Sequence, residues 1–340
     1  MMKTNPGRFF EDYSVGQVIR HAVPRTVSGG ERALYHALYP ARHALYSSDA
    51  FAQSCGLPAS PLDDIAAFHV VFGKTVPDIS LNAVANLGYA EGAWLQPVYP
   101  GDTLRSESEV IGLKQNSNGK TGVVWVRTRA LNQRDEEVMS YVRWVMVRKR
   151  DHDAPAPETV VPTLAPSVET LTIPEGLSFD GYDFELAGEP HRWGDYDVGE
   201  IIDHVDGVTI EEAEHMLATR LWQNTAKVHF DATMRPDGTR LIYGGHVISM
   251  ARALSFNGLA NAQMVVALNG GAHANPCMSG MTIRAWSEVL DKRETDAPGV
   301  GALRLRLVAT TGAAGALRGD DGKYLPEVLL DLDYWALCPV

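Results

Sequence analysis

Two rhythms of hydrophobic and polar residues run along the chain. Over 122–130, Val124, Val126, Thr128 and Ala130 share one face of a two-residue alternation, and 137–149 alternates in the same way. Asn118-Gly119, a strong hairpin pair, stands just before them. Far downstream, Leu303, Leu305 and Leu307 alternate with Arg304 and Arg306, and Leu330, Leu332 and Tyr334 alternate with Asp331 and Asp333. Strands with one wet face belong to antiparallel sheets. Helical periodicity appears at about 29–39 and 210–222, and in more apolar form at about 62–73 and 246–258. The expected order, met twice, is a short strand, a capped helix, an irregular stretch, an apolar helix and three long strands. One apolar helix is enough to cover one sheet face, which makes an α+β unit, a sheet wrapped around a helix.

The chain also repeats itself. Phe10-Glu-Asp-Tyr-Ser-Val-Gly-Gln-Val-Ile-Arg-His21 matches Trp193-Gly-Asp-Tyr-Asp-Val-Gly-Glu-Ile-Ile-Asp-His204 at an offset of 183. Ser28-Gly-Gly-Glu31 and Thr209-Ile-Glu-Glu212 both read as capping boxes, which satisfy free amides at a helix start. Pro100-Gly-Asp-Thr-Leu-Arg-Ser-Glu-Ser-Glu-Val-Ile111 matches Ser279-Gly-Met-Thr-Ile-Arg-Ala-Trp-Ser-Glu-Val-Leu290 at an offset of 179. Three ordered matches at nearly one offset indicate two copies of one domain, 1–150 and 181–340. The stretch 151–180 holds Pro155, Pro157, Pro162, Pro166 and Pro174 and reads as an extended surface linker.

Composition narrows the function classes. The 340 residues are 45% hydrophobic and 21% charged, an ordinary globular balance with room for two cores. A net charge of −12 argues against a nucleic-acid binder. It leaves a small anionic ligand open, since a few cations serve one pocket. Cys55, Cys277 and Cys338 are too few and too far apart for a disulfide framework or a zinc motif, which fits a cytoplasmic setting. No apolar run has the length of a secretory h-region or a membrane span.

The motifs of nucleotide binding and serine hydrolysis are missing, and Gly299-Val-Gly301 stands before a strand rather than a helix. The two copies differ where their apolar helices begin. The second has Gly244 and Gly245 there; the first has Pro61, Asp63 and Asp64. Glycine admits a ligand close to the backbone, and free amides at a helix N-terminus favour negative charge. A thioester oxygen becoming an enolate suits such a hole, whereas Asp63 and Asp64 would repel it. Chemistry is therefore expected in the second copy only. Upstream, Asn224 and His229 lie five residues apart and Asp231 follows. A histidine near neutral pKa suits acid–base work. Read singly, the glycines fit a plain turn and His229 fits a hydrogen-bonded core histidine. His229 and Asp231 lack a third ligand at metal-binding spacing, so no metal is expected.

At these residues the sequence resembles the MaoC-type (R)-specific enoyl-CoA hydratases, whose fold is the hot dog. Asn224-Thr-Ala-Lys-Val-His229 has the spacing and the final aliphatic-His of their motif, with Asn224, Ala226 and Lys227 in place of its aspartate, asparagine and proline. Asn86-Leu-Gly-Tyr89 and Pro97-Val-Tyr-Pro-Gly-Asp-Thr-Leu104 are similar to the segment after the family's central helix. The segments Thr26–His43, Ile242–Asn257 and Ala285–Lys292 bring the resemblance closest to the mesaconyl-CoA hydratase subgroup.

The resemblance implies a double hot dog and a hydro-lyase. Its reaction would be reversible hydration of mesaconyl-C1-CoA to (2R,3S)-β-methylmalyl-CoA, in bacterial glyoxylate assimilation, with no metal or redox cofactor. His229 would move the proton. Asn224 or Asp231 would take the part of the missing aspartate, and the Gly244 and Gly245 amides would hold the thioester oxygen. His43 is the first copy's counterpart of His229 and a substrate-binding candidate, although Leu38 stands where its acid partner would be. Arg42 is the expected partner of the substrate carboxylate. Lys227 and Arg284 are candidates for the CoA phosphates, and Tyr243 and His246 are further substrate-binding candidates. A hot-dog thioesterase and a non-catalytic acyl-CoA-binding protein stay open as alternatives. Pairing through sheet edges leaves a homo-oligomer open as well.

Overall fold

The computed structural model describes residues 3–340. Ten strands are present: β1 (Val18–Thr26), β2 (Ala83–Trp94), β3 (Thr103–Gln115), β4 (Thr121–Leu131), β5 (Glu137–Arg148), β6 (Ile201–Thr209), β7 (Val265–His273), β8 (Thr282–Glu294), β9 (Val300–Thr310) and β10 (Val328–Pro339). They form one sheet in the order β1-β3-β4-β5-β2-β7-β10-β9-β8-β6, and every recorded pair is antiparallel. The first five and the last five follow the same internal order. The two sets meet at β2 and β7, where Tyr89 faces Gly271 and Ala93 faces Ala267.

Four helices matter for the site: α1 (Gly29–Leu38), α2 (Asp64–Thr75), α3 (Glu212–Leu221) and α4 (Gly244–Leu254). Every residue of α2 and all of α4 beyond Gly244 are buried, because sheet surrounds them. One hydrophobic cluster runs through both helices and both halves of the sheet, including Phe68, Phe72, Ile248, Leu305 and Leu332. Each fully buried side chain of this size contributes about 1.5–3 kcal/mol. Polar pairs also cross between the halves: His69 Nε2 lies 2.7 Å from Ser249 Oγ, and Tyr39 Oη lies 2.9 Å from His246 Nδ1.

The structure departs from the sequence pattern in three places. Four long strands, not three, follow each apolar helix, because β2 and β7 carry glycines that interrupt their alternation. The capping box at Ser28 forms, with the Glu31 carboxylate accepting the Ser28 amide at 2.8 Å. The one at Thr209 does not: Thr209 ends β6 and bonds Thr282 Oγ1 at 2.9 Å, so α3 begins with Glu211 as its cap. The proline-rich segment is also more than a surface linker. Leu177 and Phe179 are buried in a second cluster with Leu45 and Phe51 of the first half and Trp335 of the second.

Candidate active site

The chain leaves α3 through buried Trp222 and reaches Asn224, whose amide donates to the Thr219 carbonyl at 2.9 Å. Asn224 Oδ1 accepts the Ala226 amide at 3.2 Å, which starts a single helical turn, Lys227–Phe230. That turn carries His229. Its Nδ1 lies 2.7 Å from the Leu241 carbonyl oxygen, so Nδ1 holds the proton and Nε2 keeps a free lone pair. Burial holds the His229 pKa below the usual imidazole range, with the Leu241 contact opposing it.

Leu241 and Ile242 run directly into α4. Ile242 is pinned by its amide to the Cys277 carbonyl at 3.0 Å, and the Tyr243 amide donates to His215 Nε2 at 2.9 Å. Gly244 and Gly245 are the first two residues of α4, so their amides have no intrahelical acceptor. A Cβ on Gly244 would collide with His273, and one on Gly245 would collide with Tyr243 and His69. The His229 ring centroid lies 5.8 Å from that of Tyr243, the residue before the glycines.

Asn224, Lys227, His229, Tyr243 and Gly244 all line one cavity of about 440 Å³. The other sequence candidates lie elsewhere. Gly245 is buried behind Gly244 and does not reach the cavity wall. Asp231 is exposed and caps the next turn, accepting from Thr233 N at 2.9 Å and Thr233 Oγ1 at 2.7 Å, which keeps its pKa low and its carboxylate turned away. His246 faces Tyr39 in the core. Arg42 is exposed, with its guanidinium 4.3 Å above the Phe256 ring, and Arg284 is exposed and bonded to the Val205 carbonyl. None of these four side chains lines the cavity.

His43 is not the structural counterpart of His229. His43 and Ala226 are the residues that cap the short helical turns Ala44–Ser47 and Lys227–Phe230. Counting from the caps, His229 corresponds to Tyr46. His43 is instead buried against Arg252, which donates to its Nε2 at 2.7 Å. By the same counting Asp63 matches Tyr243, and Asp64 matches Gly244. In the first half the Tyr46 hydroxyl donates to Asp64, and the Val265 amide donates to the same carboxyl at 2.8 Å. Burial pushes the Asp64 pKa up to about 8.

The cavity wall holds residues that sequence reasoning missed. His273, at the end of β7, stands beside Gly244 and shares a 3.1 Å hydrogen bond with the Tyr89 hydroxyl; burial pushes its pKa down to about 4. Arg143 of β5 is fully buried, and Asn86 of β2 has neither amide atom bonded. With Arg148 and Lys227, the wall carries three cations; among the described residues no Asp or Glu lines it. Also among the described residues, no cluster of three His, Cys, Asp or Glu side chains is placed to hold a metal ion, and no helix is long and apolar enough to cross a membrane.

This fold, two helix-wrapping sheets fused edge to edge, is the double hot dog of the MaoC-like proteins. A solved protein of Mycobacterium tuberculosis with a double hotdog fold matches at a TM-score of 0.77 and 25% identity, covering 97% of this chain and 98% of that one. A MaoC domain dehydratase structure from Chloroflexus aurantiacus matches at 0.96 and 56% identity, covering 100% of this chain and 99% of that one. The family model for mesaconyl-CoA hydratase matches residues 2–314. A mesaconyl-CoA hydratase of Cereibacter sphaeroides is 78% identical over 99% of this chain and 100% of its own length. A beta-methylmalyl-CoA dehydratase of Chloroflexus aurantiacus is 58% identical over 99% of this chain and 98% of its own. The chain belongs to the mesaconyl-CoA hydratase family.

Proposed function

We propose a mechanism for the activity that family membership gives this chain, the reversible hydration of mesaconyl-CoA by a hydro-lyase. The thioester oxygen lies against the Gly244 amide, where the positive end of α4 stabilises it as it gains enolate character. Water sits between His229 Nε2 and the Asn224 side-chain amide. Asn224 Oδ1 is engaged by Ala226, so its Nδ2 donates to the water oxygen and orients it. His229 Nε2 takes one water proton as the hydroxyl adds to the carbon β to the thioester. The double bond is consumed, and the same imidazolium returns its proton to the α-carbon. One water is added and no proton is gained or lost overall. The preferred isomers are mesaconyl-C1-CoA and (2R,3S)-β-methylmalyl-CoA.

The observation that carries this mechanism is the convergence of His229, Asn224 and Gly244 on one cavity whose wall is cationic and free of carboxylates. Such a wall suits an acyl-CoA and leaves a thioesterase without a carboxylate base. The reaction proceeds without a separate cofactor, CoA being part of the substrate. Three buried free thiols fit work in the cytoplasm. The outer strands β1 and β6, each paired on one side only, are the edges through which a second copy would pair.

Incubation with mesaconyl-CoA is expected to consume the enoyl-thioester absorbance without releasing free thiol. Release of thiol would instead identify a thioesterase, and tight binding without turnover an acyl-CoA-binding protein. Full rate in His229→Ala would remove His229 from the mechanism.

A further inference from the structure

Arg143 lies in the apolar run Tyr141-Val-Arg-Trp-Val-Met-Val, and its side chain points inward from β5 toward α2. It is 0% exposed, and among the described residues no carboxylate is paired with it. Nη2 donates to Thr75 Oγ1 at 2.7 Å; the contacts to Ser80 Oγ are 3.5 Å long, and Nε has no acceptor. The guanidinium carbon stands 4.2 Å above the Phe72 ring. A hydroxyl and a ring face do not replace the water that a guanidinium gives up on burial, so the site is electrostatically incomplete without an anion.

The same wall holds a second incomplete group. Asn86 pairs across the sheet with Val145, two residues from Arg143 on the same face of β5, and both Asn86 amide atoms are buried without partners. Arg143 and Asn86 line the cavity that also holds His229. Phe72, under the guanidinium, lies 6.0 Å from Tyr243, and Tyr243 lies 5.8 Å from His229, centroid to centroid. The other two wall cations, Arg148 and Lys227, are exposed and stand at the cavity mouth, where CoA phosphates would lie.

We propose that Arg143, assisted by the Asn86 amide, binds the free carboxylate at the far end of the acyl group and so selects dicarboxylic over simple enoyl thioesters. This deepens the hydratase mechanism above and rests on it for the identity of the thioester. A guanidinium offers two parallel donors to a carboxylate, and in a dry pocket such a pair is strong. The same unpaired charge rejects an acyl chain ending in a methyl group, because the guanidinium then stays buried and uncompensated.

The test compares mesaconyl-CoA with 2-methylbut-2-enoyl-CoA, in which a methyl replaces the carboxylate. Arg143→Gln is expected to lower kcat/KM for mesaconyl-CoA by about 10²–10³-fold while leaving the methyl analogue unchanged or improved. Arg143→Lys should keep part of the preference. An equal fall on both substrates, or no fall on mesaconyl-CoA, would overturn the assignment. A wild-type measurement decides the matter even if the variants do not fold. Succinyl-CoA should protect the protein against thermal unfolding at a concentration about tenfold or more below butyryl-CoA, the same chain length with a methyl end. Equal protection refutes the carboxylate site. Replacing Arg148 and Lys227 with Met should weaken both ligands alike; loss of the succinyl preference there would place the carboxylate at the mouth and overturn the role of Arg143. Failure of the wild type to turn over mesaconyl-CoA would sink the hydratase mechanism, whereas the saturated-ligand comparison is independent of turnover.

Discussion

At the start of α4, Gly244 and the His229 imidazole line a cavity of about 440 Å³; at the start of α2, the Tyr46 hydroxyl and the Val265 amide close on Asp64. The two places are equivalent in the fold, each a capped helical turn aimed at the first residue of a central helix. In the second half Gly244, whose amide has no intrahelical acceptor, lines the cavity. In the first half the Asp63 carboxylate caps the helix by accepting the Ile65 amide at 2.9 Å, and the adjacent Asp64 carboxyl is held by Tyr46 and Val265. One duplicated frame thus yields a site and a plug. The plugged half still contributes Asn86, Tyr89 and Arg143 to the cavity of its neighbour.

The comparison breaks most sharply at His229. His229→Ala should lower kcat for mesaconyl-CoA by about 10²–10⁴-fold. Its counterpart change, Tyr46→Phe, should leave kcat unchanged and destabilise the fold by about 1–3 kcal/mol in denaturant unfolding, because Asp64 loses a buried donor. Gly244→Asp, which writes the first half's residue into the second, should abolish turnover. Gly244→Ala should cost about 10²-fold in kcat through its clash with His273 and the disturbed amide. The pH profile sharpens the assignment further. In the proposed mechanism His229 is a base whose pKa burial holds below the usual imidazole range, so kcat/KM should fall toward acidic pH with a midpoint below that range, as Nε2 protonates. A fall beginning well above pH 7 would implicate another group.

Smaller effects separate the plug from the site. Asp64 has its folded pKa raised above the unfolded value, so its neutral form supports the fold at low pH, and that support is lost as pH rises toward about 8. Asp64→Asn should therefore gain Tm relative to the wild type as pH goes from 5 to 9, with activity intact; a constant difference would contradict a neutral Asp64. Arg42→Ala and Arg284→Ala, both exposed and outside the cavity, should change kcat/KM by less than about twofold.

Part of the cavity wall was legible because its parts are close in sequence. Asn224, His229 and Gly244 fall within one stretch whose spacing is set by a helix end, a helical turn and a helix start. Where sequence counting failed, local similarity stood in for geometry. His43 was matched to His229 by residue type, whereas the caps of the two helical turns pair His229 with Tyr46. Asp231 was nearest along the chain, yet it is spent on Thr233. Thr209 had the right spacing for a capping box, but β6 claims it for the sheet edge. Arg143 did leave a mark, a lone arginine on the apolar face of an alternating strand, though nothing local says what it faces.

Alternating strands, two apolar helices and a doubled motif were enough to determine the duplicated α+β frame and the half that carries the imidazole, because periodicity and capping act over a few residues. Which side chains share the cavity was decided only by the pairing of β2 with β7, which brings Tyr89 of one half, with Arg143 beside it on β5, against His273 of the other. Pairing of this kind depends on contacts nearly two hundred residues apart, and no local pattern encodes them.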